Sequence, residues 1–248
     1  MKLNDDLLET YVRTFYGYGN YGGPFWFVGM EEGMLGGYDE IVARLLFCEN
    51  HGMAELLDFA MMSRATSTVG DRWIGENARI MPTWGRLIRL LLAAKGNSCS
   101  PQDVRCYQGT CLGRGQSDNC ILELMPLPCK SLNEADWFYS DWSTLSYLRS
   151  RSSYMKEVLP GRIAHLRRSI RDHRPACVVF YGKRYLEHWK AVAADTDFEE
   201  SGAFLFGEKD GTVLCVTPHP VARGLTNDAF ERAGRELGRM RTGPSQAR

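Results

Sequence analysis

Apolar positions recur along the chain in two ways: at helical spacing over long stretches, and as short continuous runs. Leu7, Leu8, Tyr11, Val12 and Phe15 predict a helix over residues 5–16. Ile41, Val42, Leu45 and Leu46 predict a second in "YDEIVARLLFCENHG", and "AELLDFAMM" reads as a third. "PTWGRLIRLLLAAKG" opens on Pro82, repeats Leu87, Leu90 and Leu91, and stops at Gly96. "GRIAHLRRSIRDHRP" is amphipathic, with Ile163, Leu166 and Ile170 expected inward and Arg162, Arg167, Arg168, Arg171 and Arg174 spread over the other faces. "NDAFERAGRELGRM" predicts a closing helix capped by Asn227 or Asp228.

The continuous runs are "FWFVGM", "CILELM", "ACVVFYG" and "TVLCVTPHP", and each predicts a short strand buried on both faces. The four-glycine stretch "YGYGNYGG" is expected to be a turn. Residues 97–119, rich in Gly, Ser, Cys and Gln, are expected to form a long loop, whose "GTCLGRGQS" lacks the Gly-Lys-Ser/Thr ending of a phosphate loop. Trp137, Phe138, Trp142 and Tyr147 populate an irregular stretch over the core, and residues 242–248 are expected to be a disordered tail.

Apolar strands separated by helices predict an α/β protein. The expected architecture is a three-layer α/β/α sandwich with a central, mainly parallel four-stranded sheet, formed as one domain by residues 1–241. Composition agrees with a globular chain: of 248 residues, 44% are hydrophobic and 24% charged. No apolar run reaches the length of a membrane span. The acidic, amphipathic start "MKLNDDLLETYVRTF" is unlike a signal or transit peptide, so the expected location is the cytoplasm. Eight cysteines without a secretory signal argue against a disulfide framework. Cys99, Cys106, Cys111, Cys120 and Cys129 are irregularly spaced with no C-x-x-C, which argues against a metal cluster.

Net charge is zero but unevenly placed. Residues 1–70 carry 4 Lys+Arg against 10 Asp+Glu, whereas residues 147–190 carry 11 against 3. The basic segment is either a face for polyanions or the solvated side of a helix.

Ligands of parallel α/β sheets bind at the carboxyl ends of the strands. Those ends read Gly29-Met30-Glu31-Glu32-Gly33, Glu123-Leu124-Met125-Pro126, Tyr181-Gly182-Lys183-Arg184 and Pro218-His219-Pro220-Val221-Ala222-Arg223-Gly224-Leu225. In this order the motifs resemble those of the uracil-DNA glycosylase superfamily. "GMEEG" is similar to that superfamily's "GMNPG" loop, "ELMPLP" to its "N-x-C-P-L" turn, "VVFYGK" to its third strand and "HPVARGL" to its "HPS" loop. The departures are Glu31 for the water-positioning Asp or Asn, Glu32 for a proline that stiffens the loop, Glu123 for the pyrimidine-gripping Asn, and Val221 for Ser.

The resemblance implies a monomeric glycosylase that hydrolyses the N-glycosidic bond of uracil or a related base in DNA, with no cofactor or metal. It implies catalytic roles for Glu31 and His219. Base contacts would come from Gly29, Met30, Glu32, Gly33, Glu123 and Met125; of the DNA contacts, Lys183 and Arg184 would bind phosphates, while Arg223 and Leu225 would fill the gap left by an extruded base. The carboxylate would orient water and stabilise an oxocarbenium-like sugar, and His219 would donate to the leaving base. Glu32 either points to solvent or is itself the working carboxylate. Glu123 is protonated by its surroundings, or points away, or the base is not uracil. The stacking aromatic is sought among Trp73, Phe47 and Trp84, with Trp73 preferred. Arginines 162–174 either bind phosphates or form a wet helix face. Two other classes stay open: a non-catalytic nucleic-acid binder, and a metal hydrolase using Glu31, Glu32, Glu123 and His219.

Overall fold

The four continuous apolar runs form the centre of one sheet in the computed structural model, which describes residues 1–66, 70–131 and 133–242. The first half contains α1 (Asp5–Thr14), β1 (Gly17–Gly19), β2 (Phe25–Gly29), α2 (Gly37–Asn50), β3 (Leu56–Leu57), α3 (Phe59–Thr66), α4 (Pro82–Ala94), α5 (Pro101–Thr110) and β4 (Asn119–Glu123). There follow α6 (Tyr139–Trp142), α7 (Arg151–His173), β5 (Cys177–Tyr181), α8 (Leu186–Val192), β6 (Glu199–Ser201), β7 (Phe204–Lys209), β8 (Thr212–Thr217) and α9 (Asn227–Thr242).

Strand order is β3-β1-β4-β2-β5-β8-β7-β6, so the expected four-stranded sheet is in fact eight-stranded. The four expected strands are contiguous and parallel, with Ile121, Phe27, Val179 and Cys215 in one row across them. Every residue of β2, β4, β5 and β8 is buried, which is why each reads as an unbroken apolar run. The fold is thus mixed α/β with a mainly parallel sheet.

The added strands lie at the edges and carry weak sequence signals. β1 falls in the glycine-rich stretch expected to be a turn, and pairs antiparallel to β4. Gly17, at φ 150°, must be glycine, because a Cβ there would meet the Ile121 carbonyl oxygen at 1.9 Å. β3 occupies Leu56 and Leu57, so the expected helix at residues 54–62 begins only at Phe59. β6 and β7 form an antiparallel hairpin that extends the sheet beyond β8.

Three other expectations are corrected. The expected loop at 97–119 contains α5, a polar helix started by Pro101 and a reciprocal capping box between Ser100 and Asp103. The arginine-rich helix starts at Arg151, capped by Ser150, and runs 23 residues through Pro160 to a left-handed Arg174. The closing helix extends through Thr242, the first residue of the expected tail; residues 243–248 lie outside the described residues.

Candidate active site

The loops after β2 and β4 continue the strand pairing beyond the sheet. The Leu124 and Met125 amides donate to the Gly29 and Met30 carbonyls at 2.8 Å each. The Cys129 amide donates to the Glu32 carbonyl, and the Met34 amide to the Cys129 carbonyl, both at 3.1 Å. Glu40 then closes the turn by accepting from the Leu35 and Gly36 amides. The "GMEEG" turn is therefore held by backbone pairing where a proline would have stiffened it.

This rim borders a cleft of about 400 Å³ whose walls include Glu31, Glu32, Tyr181, Arg184, Tyr185 and His219. Each of the two adjacent glutamates is backed by a buried arginine. Glu31 pairs with Arg151, the first residue of α7, with side chains only 8% and 9% exposed. Burial pushes the Glu31 carboxyl above the usual carboxylate range, although Arg151 pulls it down. Glu32 pairs with Arg44 of α2 at 2.7 Å, and Arg44 also donates to the Tyr18 hydroxyl at 2.8 Å. Glu32 thus lines the cleft, which removes the reading in which it is a solvated loop residue.

Glu123 is buried at the end of β4, level with Gly29 of β2. The Tyr181 hydroxyl donates to its Oε1 at 2.7 Å. Burial first, and the nearby Glu32 charge second, push its carboxyl well above the usual range. Gly29 makes this juxtaposition possible, since a Cβ there would lie 2.1 Å from the Tyr181 hydroxyl oxygen and 2.5 Å from Glu123 Oε2. Among the described residues, four buried side-chain polar atoms make no hydrogen bond: Glu32 Oε1, Arg44 Nε, Glu123 Oε2 and Arg151 Nη1. All four belong to the carboxylates and arginines gathered here, which marks the region as built for more than packing.

His219 stands exposed at the rim. Its Nδ1 accepts from the Val221 amide at 3.4 Å, so in the neutral ring the proton sits on Nε2. Partial desolvation by the neighbouring loop lowers its pKa although the ring edge is exposed, which favours that neutral form. Arg86 of α4 fixes the loop by donating to the Pro220 and Leu225 carbonyls, the latter at 2.9 Å.

The candidate residues divide clearly. Met30, Glu31, Glu32, Gly33, Arg184 and His219 line the cleft. Gly29 and Glu123 sit behind Tyr181, and Glu123 reaches the cleft only through that tyrosine's hydroxyl. Met125 is fully buried with its amide engaged, so its side chain is core and not a base contact. Trp73 lies in a 3-10 turn (Gly70–Trp73) outside the cleft, and Phe47 stacks on His51. Trp84 packs edge-on against Phe27 and Tyr181. The aromatic rings that line the cleft are Tyr181 and Tyr185. Lys183 is paired with Glu200 at 2.8 Å, Arg223 is exposed, and Leu225 is half-buried against the core.

Arg162 fits neither reading of the helix's arginines, as phosphate ligands or as a wet face. It is buried, donates to the Phe15, Glu123 and Leu124 carbonyls, and lies 3.6 Å over the Tyr16 ring. No group of three or more His, Cys, Asp or Glu arranged to share a metal ion occurs among the described residues, so the four proposed metal ligands are not gathered. Arg44, Arg86, Arg151, Tyr181 and Tyr185 escaped the reading of the sequence; only the position of Tyr181 at a strand end marked any of them.

No protein-family model matches the chain. No curated protein matches it either. The likeness to the uracil-DNA glycosylase superfamily therefore rests on the motif residues alone.

Proposed function

We propose that this chain is a DNA glycosylase that hydrolyses the N-glycosidic bond of uracil or a related base, acting as a single three-layer α/β/α domain over residues 1–241. One observation carries the reading: Glu31 and His219, from the loops after the first and last central strands, border one cleft. Glycoside hydrolysis separates charge between an oxocarbenium-like sugar and an anionic base. Glu31 stabilises the sugar and orients the attacking water, and Arg151 opposes the protonation that burial favours and holds the carboxylate in place. His219 donates its Nε2 proton as a hydrogen bond to the leaving base, for which the neutral ring suffices.

Glu32, which lines the cleft, offers its carboxylate as an acceptor for an N–H of the base. Glu123 acts through Tyr181, whose hydroxyl it orients. Arg184 at the rim binds a backbone phosphate, and Lys183 and Arg223 extend that contact. Val221, 50% exposed beside His219, supplies the apolar surface that fills the gap left by an extruded base.

The test is incubation of labelled oligonucleotides carrying uracil, hypoxanthine, xanthine or hydroxymethyluracil, with EDTA present, followed by alkali. Strand cleavage at one of these bases is expected. His219→Ala and Glu31→Gln should each lose about 10²–10³ in rate while DNA binding persists. No cleavage at any base, or full activity in both variants, overturns the proposal. A non-catalytic binder of modified DNA is the second reading, and the neutralisation of Glu31 by Arg151 favours it. Tight binding of uracil-containing strands without abasic sites identifies that case.

A further inference from the structure

A second cavity, also of about 400 Å³, lies between α7, the end of α8 and the β7–β8 turn, and shares no lining residue with the cleft. One wall is a stripe of α7 in which Pro160, Ile163, Ala164, Arg167, Ile170, Arg171 and Arg174 recur every three or four residues. This stripe is about 21 Å long at 1.5 Å per residue. Ile163 and Ile170, expected to point into the core, are only half-buried and face the cavity. The other walls are Val192 and Ala193 at the end of α8, the Lys209-Asp210 turn between β7 and β8, and Leu214 of β8. Arg174 follows α7 and Thr212 begins β8, so the end of the cavity that holds Arg174 and Lys209 lies at the amino ends of the parallel strands.

The chemistry of the walls narrows the occupant. The floor is apolar, and cations stand around it. Arg167 and Arg171 are engaged with Asp195 and Asp172, and Arg168 contacts His165, but Arg168, Arg174 and Lys209 pair with no carboxylate among the described residues, and Arg174 and Lys209 stand together at one end. Asp210 is the acidic side chain in the wall. Among the described residues no aromatic ring lines the space, so they supply no stacking platform of the kind a single-strand nucleic-acid site uses. Its volume falls in the range of small-molecule pockets and is too small to enclose a helix about 10 Å across. These walls complement an occupant that joins a narrow apolar body to a negative charge.

We propose that this groove binds a single-chain amphiphilic anion, its apolar chain lying along Ile163 and Ile170 and its carboxylate or phosphate head held by Arg174 and Lys209. The site is separate from the cleft, and the inference does not rest on the glycosylase reading.

The test is titration of the whole protein, below micellar concentrations, with dodecanoate, dodecyl phosphate, dodecylammonium and dodecanol, followed by calorimetry. One or both anions should bind at least tenfold tighter than the ammonium and the alcohol, and the stronger anion identifies the head group. Ala164→Trp, at an exposed position, should fill the groove and weaken the anions at least tenfold. Arg174→Glu with Lys209→Glu should weaken the anions by a similar factor and leave dodecanol unchanged. Thermal melting of each variant confirms that it is folded. Equal binding of the ammonium or the alcohol, unchanged binding in Ala164→Trp, or displacement of the anions by a single-stranded oligonucleotide overturns the proposal.

Discussion

Replacing Arg151 with Met isolates what holds Glu31. Both side chains are about nine-tenths buried. The pair therefore belongs with buried ion pairs, for which removal of one partner costs about 3–5 kcal/mol, and not with surface pairs worth about 0–1 kcal/mol. Arg151→Met keeps the apolar stem and leaves Glu31 buried without its cation. For a chain of this length each kcal/mol shifts the melting temperature by about 2–4 °C, so a fall of roughly 6–20 °C is expected near pH 8. The sign with pH follows from the carboxyl. Burial already raises its folded pKa, and loss of Arg151 raises it further. The stability it contributes is present below the unfolded value and is lost as pH rises through the folded one. The variant should thus approach wild type towards pH 5 and diverge from it in alkali. Urea denaturation of Arg151→Met, Glu31→Gln and the double variant at pH 5 and pH 8 measures this. The double variant should recover most of the loss. A penalty below about 1 kcal/mol at pH 8, or one equal at both pH values, would falsify the reasoning.

Gly29→Ala should cost about 1–3 kcal/mol and reduce excision, because Tyr181 must move off Glu123; wild-type urea midpoints would show that the close approach is unimportant. Arg86→Ala should lower kcat with little change in KM, since Arg86 positions the loop carrying His219, and Arg86→Lys should restore part of the rate. A change confined to KM would instead make Arg86 a binding group. Glu123→Gln should flatten the dependence of stability on pH. The raised carboxyl of Glu123 stabilises the fold below about pH 4.3 and progressively less as pH rises through its folded value. An unchanged slope between pH 4 and 9 in urea titrations would mean that Glu123 titrates normally.

The central strands were legible because burial on both faces leaves a mark on every residue of the run. The edge strands were not. β1 is a tyrosine between two glycines, and all of β6 is exposed, so neither shows an apolar pattern. α5 was hidden because its start depends on Ser100 and Asp103 serving each other's backbone, while its composition resembles a loop. The same limit applies to the cleft. Glu31 and His219 stand at strand ends, where topology alone directs attention. Arg151 and Glu31 lie 120 residues apart, and Arg162 looks like its exposed helical neighbours. Which arginine is buried depends on which carbonyls or carboxylates the fold brings against it, and local pattern does not encode that.

The unbonded polar atoms of Glu32, Arg44, Glu123 and Arg151 have an evolutionary consequence. Apolar replacement of a buried ion pair is often neutral or stabilising, by about 1–4 kcal/mol. A population selected for heat resistance alone should therefore accumulate hydrophobic residues at positions 32 and 44 ahead of others, because these sites hold the fold's unused stability. Such descendants would melt later while losing their ligand. The pace at which the two charges disappear once selection for ligand is relaxed would measure how strongly function, and not folding, keeps them there.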